Sequence, residues 1–483
     1  MPSCLSVRRL LWSVVLVALT GCATYSDSFS LIKRDLSTRQ YDAALLEIDK
    51  QSHSTTDRVL YLLNKGMVLR MKRDFVGSNE AFEAAKTEMD RLYAASVTEN
   101  TLSIIVNDAT VSYAGDDYEQ VLVHLYMALN YLELGLPDEA RVEALQIDVA
   151  SRAIAEKRPE NKFAEDALSR YLTGLIYEDL GEWSDAMIAY RKAYEAYKKY
   201  PPNYHVAMPE MLKIDLTRLA QRLGLDDEVA QYQKEFNLPP PPSADAPTTQ
   251  DGELVFILSS GLAPIKRSRT ITILANGSKT MATRSAQVSS SAGNMPISVS
   301  IALPYYESQP NRVMGARVSA QGMQAATQTM ENIDAIARAS LDARMPAITA
   351  RTAARAVTKA LLEKSVDQAA ASGNRNNDMA ALGSVLVRVA AIATERADTR
   401  SWLTLPASVQ LARLPQPPGT RDVNIDLLGP GGQVIASLVY PGIVIKPQRK
   451  TFVTQHWVAN DVVAAASVTD RVTIRQSDPP PRK

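Results

Sequence analysis

Four consecutive prolines, Pro239–Pro242, divide this chain into two parts that follow different folding periods. Proline lacks a backbone N–H and fixes φ, so a run of four ends any helix and favours a semi-rigid extended spacer. Ahead of the run, from about Ser30 to Phe236, apolar residues recur at helical spacing with few β-branched stretches. Behind it, short apolar runs are punctuated by glycine and proline, which is the pattern of strands. At 483 residues the chain exceeds one core. It reads as an α+β multidomain protein: an all-α part over 30–236, a linker over 237–250, and a mixed domain over 251–475. That domain has β-rich ends and helices at about 327–395, and 476–483 form a disordered tail.

The helical part repeats itself. Gly174, Tyr177, Gly181, Ala186, Tyr190 and Ala193 form one unit within Leu168–Pro201. Ala128, Tyr131, Gly135, Ala140 and Ala144 form a second, and Gly66, Leu69, Ser78, Phe82 and Ala85 a third. Small residues are needed where the two helices of a hairpin cross closely, and tyrosines fill the space between hairpins. The offsets resemble those of tetratricopeptide repeats. The spacings between units exceed the ordinary repeat of about 34 residues, so the array is degenerate and carries insertions. Tyr41–Ile48 reads as a remnant helix before it and Leu212–Phe236 as a terminal helical pair.

Arrays of this kind bind with the concave face made by the first helix of each hairpin. The face positions are Leu63, Met67 and Arg70; Leu125, Leu129 and Leu132; Tyr171, Leu175 and Glu178. Most are apolar, and two readings stand: an open groove for a partner, or a surface filled by the chain itself. Asp116 and Glu119 have the spacing of a capping box for a helix over Tyr118–Leu134. His124 on that helix reads as a packed or hydrogen-bonded histidine.

Beyond the prolines, strands are expected at Glu253–Ser259, Arg269–Ala275, Ile297–Leu303, Arg312–Ser319, Ser401–Leu405, Val409–Leu414, Asp422–Leu428, Val434–Tyr440 and Lys450–Val458. Helices are expected over Thr327–Ala370 and Asp378–Glu395. The result is a small sheet or sandwich with a helical insertion packed on it. Arg344, Arg351, Arg355 and Lys359 stand without an acid at spacings that share a helical face. That basic stripe reads either as an anion-attracting surface or as a solvated or ion-paired face.

The amino terminus carries an address. Arg8 and Arg9 precede the apolar run Leu10–Leu19, a short signal-peptide core rather than a membrane span. Leu19-Thr20-Gly21-Cys22 resembles the bacterial lipobox, which implies cleavage between Gly21 and Cys22, residues 1–21 as the signal and 22–29 as the lipid tether. More than one acyl chain on Cys22 would make the anchor stable. By resemblance to the sorting rule of enteric-type bacteria, Ala23 favours the outer membrane. Without residues 1–21 the chain holds 51 basic and 53 acidic residues, a balance that points away from nucleic acid. Its other cysteine, Cys4, leaves with the signal, so no disulfide, thiol nucleophile or cysteine metal site remains.

Catalytic patterns are thin. The four histidines, His53, His124, His205 and His456, form no metal-ligand motif, and no cofactor is implied. Gly277-Ser-Lys-Thr280 lacks the earlier glycine of a phosphate loop, with Thr272 in its place. Ser30-Leu-Ile-Lys33 matches a serine-enzyme pattern but lies just behind the tether.

Four strings taken together, Tyr113–Leu136, Gly261–Ser268, Ile301–Tyr306 and Ala397–Gln416, resemble an uncharacterised family of tetratricopeptide-containing bacterial lipoproteins. Its members are often encoded beside lipoproteins similar to curli-export components and cell-wall-synthase activators. The resemblance implies an envelope setting and supplies no catalytic residues. The expectation is a non-enzymatic scaffold anchored in the outer membrane and facing the periplasm. Its partners would be envelope proteins, such as other lipoproteins or a cell-wall synthase. A peptidoglycan- or glycan-binding module is the alternative, and an unrecognised hydrolase a remote third.

Overall fold

The computed structural model describes residues 25, 29–98, 111–157, 166–239, 250–276, 279–282, 297–372, 397–458 and 468–471. Outside them lie the signal segment and Cys22, most of the linker, the loop start at Gly277, the helix expected over Asp378–Glu395 and the tail.

The helical part runs α1 (Ser30–Ser37), α2 (Tyr41–Asp49), α3 (Arg58–Met71), α4 (Phe75–Thr98), α5 (Asp117–Glu133), α6 (Pro137–Lys157), α7 (Ala167–Asp179), α8 (Trp183–Tyr204), α9 (Glu210–Arg222) and α10 (Asp226–Phe236). Consecutive helices pair as hairpins, and the small residues sit where two axes cross. A Cβ on Gly174 of α7 would lie 2.2 Å from the Tyr190 ring of α8, and one on Gly66 of α3 would lie 2.5 Å from the Phe82 ring of α4. The glycine-to-ring offset is the same in both hairpins. Ala128 and Ala144, at that offset in α5 and α6, are both buried. The irregular spacing comes from long second helices, 24 residues in α4 and 21 in α6, together with the connections 99–116 and 158–166 that follow them.

Behind the linker come β1 (Gly252–Ser260), β2 (Ile265–Asn276), β3 (Lys279–Ala282), β4 (Ile297–Glu307), β5 (Gly315–Ala320), β6 (Met323–Ala326), β7 (Gln328–Asn332), α11 (Ile333–Ser372), β8 (Ser408–Gln416), β9 (Gly419–Leu428), β10 (Val434–Ile445), β11 (Lys450–Trp457) and β12 (Val468–Arg471). They make a four-stranded sheet β11-β1-β8-β7, a five-stranded sheet β12-β10-β9-β5-β6 and a three-stranded sheet β3-β2-β4. Two expectations change here. Within the helix expected from Thr327, residues Gln328–Asn332 instead form β7 and pair with β8, and the helix begins at Ile333. Ser401–Leu405 is not a strand, because its backbone donors go to side chains of the array: Trp402 N–H to Glu119 at 2.8 Å and Thr404 N–H to Asn64 at 3.3 Å.

The two larger sheets stack face to face. Leu254, Phe256 and Leu258 of β1 join Val318, Val423, Ile425 and Leu438 in the core between them. Val255 and Ile257, on the opposite face of β1, join a second core with Leu63, Leu125, Leu129, Tyr171 and Leu175 of the array. Because side chains alternate across a strand, β1 is apolar at every position from Leu254 to Leu258. The molecule is therefore layered: helix array, four-stranded sheet, five-stranded sheet.

Gly→Ala in an open helix interior stabilises by about 1 kcal/mol, whereas overfilling a packed core costs roughly 1–3 kcal/mol. Gly174→Ala is expected to lower the melting temperature, since its methyl meets the buried Tyr190 ring. Gly77→Ala is expected to lower it less, since its methyl meets the exposed Asp74 side chain, which accepts from the Gly77 N–H at 3.0 Å and has room to shift. Thermal unfolding of the two variants followed by circular dichroism checks the contrast.

Candidate functional site: the filled concave face

The residues assigned to the concave face lie where the repeats predict, on the first helices of successive hairpins. Leu63, Met67, Leu125, Leu129, Leu132, Tyr171 and Leu175 are all buried, none more than 7% exposed. Arg70 and Glu178 are buried as well. The open-groove reading therefore gives way to the other one. The chain fills its own concave face with the four-stranded sheet and the segment 397–405, whose Trp402 ring packs edge-on against Phe82 and Tyr126 at centroid distances of 5.7 and 6.1 Å.

Two amides on one edge of that sheet are satisfied by the array. Strand β11 is the outer strand, and a bare edge strand presents unpaired amides. Lys450 N–H donates to Asp179 at 2.5 Å and Thr454 N–H to Glu133 at 2.6 Å. Each acid is the last residue of its helix, α7 or α5, so successive hairpins cap the same strand four residues apart. Arg70 Nη2 donates to the Thr454 hydroxyl at 2.7 Å, and that hydroxyl donates to Glu133 at 2.7 Å.

Asp116 is the centre of a second contact. Its side chain and that of Glu119 form the capping box of α5, but both acids also reach across to the other part. Asp116 accepts from Lys266 of β2 at 3.2 Å and from Arg344 of α11 at 2.8 Å. Burial pushes its carboxyl up, and the Arg344 and Lys266 cations outweigh that and hold it well below the usual carboxylate range. Lys266 also donates to the Arg400 carbonyl at 2.7 Å. Glu119 accepts from Tyr113 Oη at 2.6 Å and from the N–H groups of Asp116 at 3.0 Å and Trp402 at 2.8 Å. Burial and the Asp116 charge push its carboxyl up to about 7 against those donors. The four strings that carry the family resemblance thus meet at one buried point: Asp116 and Glu119, Lys266, Tyr306 beside Tyr118 at 3.3 Å, and Arg400 with Trp402.

A third contact joins Arg413 of β8 to Glu253 at 2.7 Å, to Tyr171 Oη at 3.0 Å and to Asp215 of α9. Lys450 adds pairs to Glu253 at 2.8 Å and Glu178 at 3.3 Å.

The basic stripe does not form one solvent-facing surface. Arg344 is tied to Asp116, Arg355 is buried and Arg351 is exposed, while the Lys359 side chain lies outside the described residues. His124 Nδ1 lies 2.7 Å from Glu143, as a hydrogen-bonded histidine. Among the described residues no group of three His, Cys, Asp or Glu side chains is placed to hold a metal, and no helix is long and apolar enough to cross a membrane.

Sequence reasoning missed a pair of acids. Glu331 of β7 and Asp166, the N-cap of α7, are 0% and 1% exposed. Among the described residues no cation pairs with either, and Glu331 Oε1 and Asp166 Oδ2 have no hydrogen-bond partner. Burial raises the Asp166 carboxyl to about 6 against the Ser169 and Leu168 donors, and burial followed by the Asp166 charge raises Glu331 well above the usual range. No local pattern announces this pair, since each acid looks like an ordinary cap or strand-end residue.

A scan against family models and a search of curated proteins return no match. Solved structures are similar at low identity. A crystal structure of MamA shares 14% identity over 44% of this chain and 91% of that one, with a TM-score of 0.27. PilF of Pseudomonas aeruginosa shares 13% over 45% and 77%, at 0.29. A tetratricopeptide repeat protein of Parabacteroides merdae shares 14% over 44% and 67%, at 0.27. At these scores the likeness adds no weight, and the repeat assignment rests on the hairpin crossings themselves.

Two outcomes follow for the buried charges. Lys266→Met leaves Asp116 with one of its two cations, and breaking a buried pair costs about 3–5 kcal/mol, so a marked loss of stability is expected in denaturant titrations. Asp166 and Glu331 have folded pKa values above their unfolded ones. Their contribution is complete below about pH 4 and lost as pH rises through about 6 and beyond. Glu331→Gln removes one of two buried charges that repel each other. It is expected to raise the melting temperature by a few degrees at pH 8 and to change it little at pH 5. Calorimetry across that range reads the difference.

Proposed function

We propose that this chain is a non-catalytic interaction scaffold of the bacterial envelope, anchored by lipid on Cys22 in the outer membrane and facing the periplasm. The observation that carries the reading is the commitment of its polar and apolar groups inward. The buried acids and bases of the concave face are spent on joining the two parts, and the array displays its outer helices. The lipobox supports the anchor. Support also comes from Tyr25, whose hydroxyl accepts from Asn64 of α3 at 2.7 Å. With Phe29 buried as well, a tether at Cys22 would leave the folded body within a few residues of the membrane surface. Recruitment of envelope proteins, whether other lipoproteins or a cell-wall synthase, then falls to the outward faces. The glycan-reading alternative leaned on the basic stripe, and the pairing of Arg344 with Asp116 and the burial of Arg355 leave it without a specific support.

Cys22→Ser is expected to release the protein from salt-washed outer membranes, and retention there would show that lipid is not the anchor. Crosslinking in intact cells followed by mass spectrometry is expected to give defined protein partners that persist after wall glycan is digested. Recovery mainly with sacculi would overturn the scaffold reading.

A further inference from the structure

The outer face of α6 carries an apolar stripe that no other described element covers. Val142, Leu145 and Val149 are 52%, 45% and 58% exposed. With exposed Asp138, Arg152 and Glu156 they follow one another at alternating spacings of four and three, the seam spacing by which one helix packs along another. Ile188 of α8, 48% exposed, borders the stripe, because Lys192 one turn further on pairs with Asp148 of α6 at 2.9 Å.

The stripe is complementary to itself. Turned antiparallel about the point between Leu145 and Gln146, it sets Val142 against Val149 of a second copy and Glu139 against Arg152, each contact occurring twice. Glu139 is exposed. Arg152 is 73% exposed and approaches Asp148 only to 4.0 Å, so both charges are available. A purely acidic partner would be repelled by Asp138 and Glu139 at one end of the seam, and a purely basic one would meet Arg152 near the other. A copy related by a two-fold axis matches both ends, as an isologous interface requires.

We propose that α6 pairs antiparallel with α6 of a second copy of this chain, forming a dimer through the convex side of the array. A helix of this length spans about 31 Å, and one helix pair buries less than the roughly 1,200 Å² of a stable complex. The dimer is therefore weak and concentration-dependent in solution. Confinement to one membrane would raise its effective concentration, a gain that rests on the proposed anchor, whereas the pairing itself does not.

The test uses the full-length chain in mild detergent with a short bis-maleimide crosslinker. Leu145→Cys, beside the two-fold axis, is expected to give dimer in far higher yield than Leu46→Cys on α2, which is 68% exposed away from the seam, or than the unsubstituted chain. Adding Glu139→Arg should reduce the yield several-fold, and adding Arg152→Glu as well should restore it. Circular dichroism shows that each variant is folded. Yield from Leu145→Cys no higher than from Leu46→Cys, or failure of the double reversal to restore it, would overturn the dimer. So would a Leu145→Cys thiol shielded from maleimide in the monomer, which would mean that a segment of the same chain covers the stripe. Cys22→Ser at matched protein concentration should leave the purified dimer yield unchanged, so failure of the anchor and failure of the dimer read out separately.

Discussion

Strand β1 is buried on both faces, and the rest of the molecule is arranged around that condition. Its even-numbered residues, Leu254, Phe256 and Leu258, fill the sandwich, while Val255 and Ile257 fill the concave face of the array. Val409 and Leu411 of β8 and Phe452 of β11 add to the array side. Burying a large apolar side chain contributes about 1.5–3 kcal/mol, so the five β1 residues alone contribute on the order of 10 kcal/mol. That matches the whole net stability of a typical domain. The array without the sheet would expose the apolar side chains of three successive hairpins, and the sheet without the array would expose the outer face of β1. The two parts share one core, and each completes the other.

Charge decides how they are joined. At the contact most acids come from the array, namely Asp116, Glu119, Glu133, Asp179 and Asp215, and most cations from the other part, namely Lys266, Arg344, Arg413, Arg449 and Lys450. Buried ion pairs contribute little net stability compared with apolar packing, yet a mispaired one is costly. A sheet slid along the apolar face would keep much of its hydrophobic contact and lose every one of these partners. The pairs therefore fix the register that the apolar surfaces leave loosely set. Glu331 and Asp166 break the pattern, with acid facing acid.

What was legible in the sequence follows from range. The hairpins were legible because Gly174 and Tyr190, or Gly66 and Phe82, are close in sequence and the same offset recurs. β1 was legible because a strand buried on both faces needs an unbroken apolar run. Asp116 and Glu119 were legible only as a capping box, since a cap is a local pattern while Lys266 and Arg344 lie 150 and 228 residues away. Ser401–Leu405 has the composition of a strand, and its amides were diverted to Glu119 and Asn64, which no local pattern records. The basic stripe kept its helical face as far as it is described, but a second element brought Asp116 to Arg344. The signal available for the junction was indirect: its ionisable and phenolic residues, Asp116, Lys266, Tyr306 and Arg400, are divided among the four resemblance strings.

The filled face also changes what kind of partner the array can take. A concave repeat surface is suited to an extended segment, and here β11 occupies that place as part of a sheet. An external peptide would have to displace backbone bonds from Asp179 and Glu133 together with the apolar contacts of Phe452 and its neighbours. β11 competes from within the same molecule, at an effective concentration that no free peptide in the millimolar range or below reaches. Exchange at this face would demand the opening of a core shared by both parts, whose free energy is comparable to global unfolding. Binding that leaves the fold intact must then use side chains already in water, among them Val142, Leu145 and Val149 on α6 and Ile188 on α8.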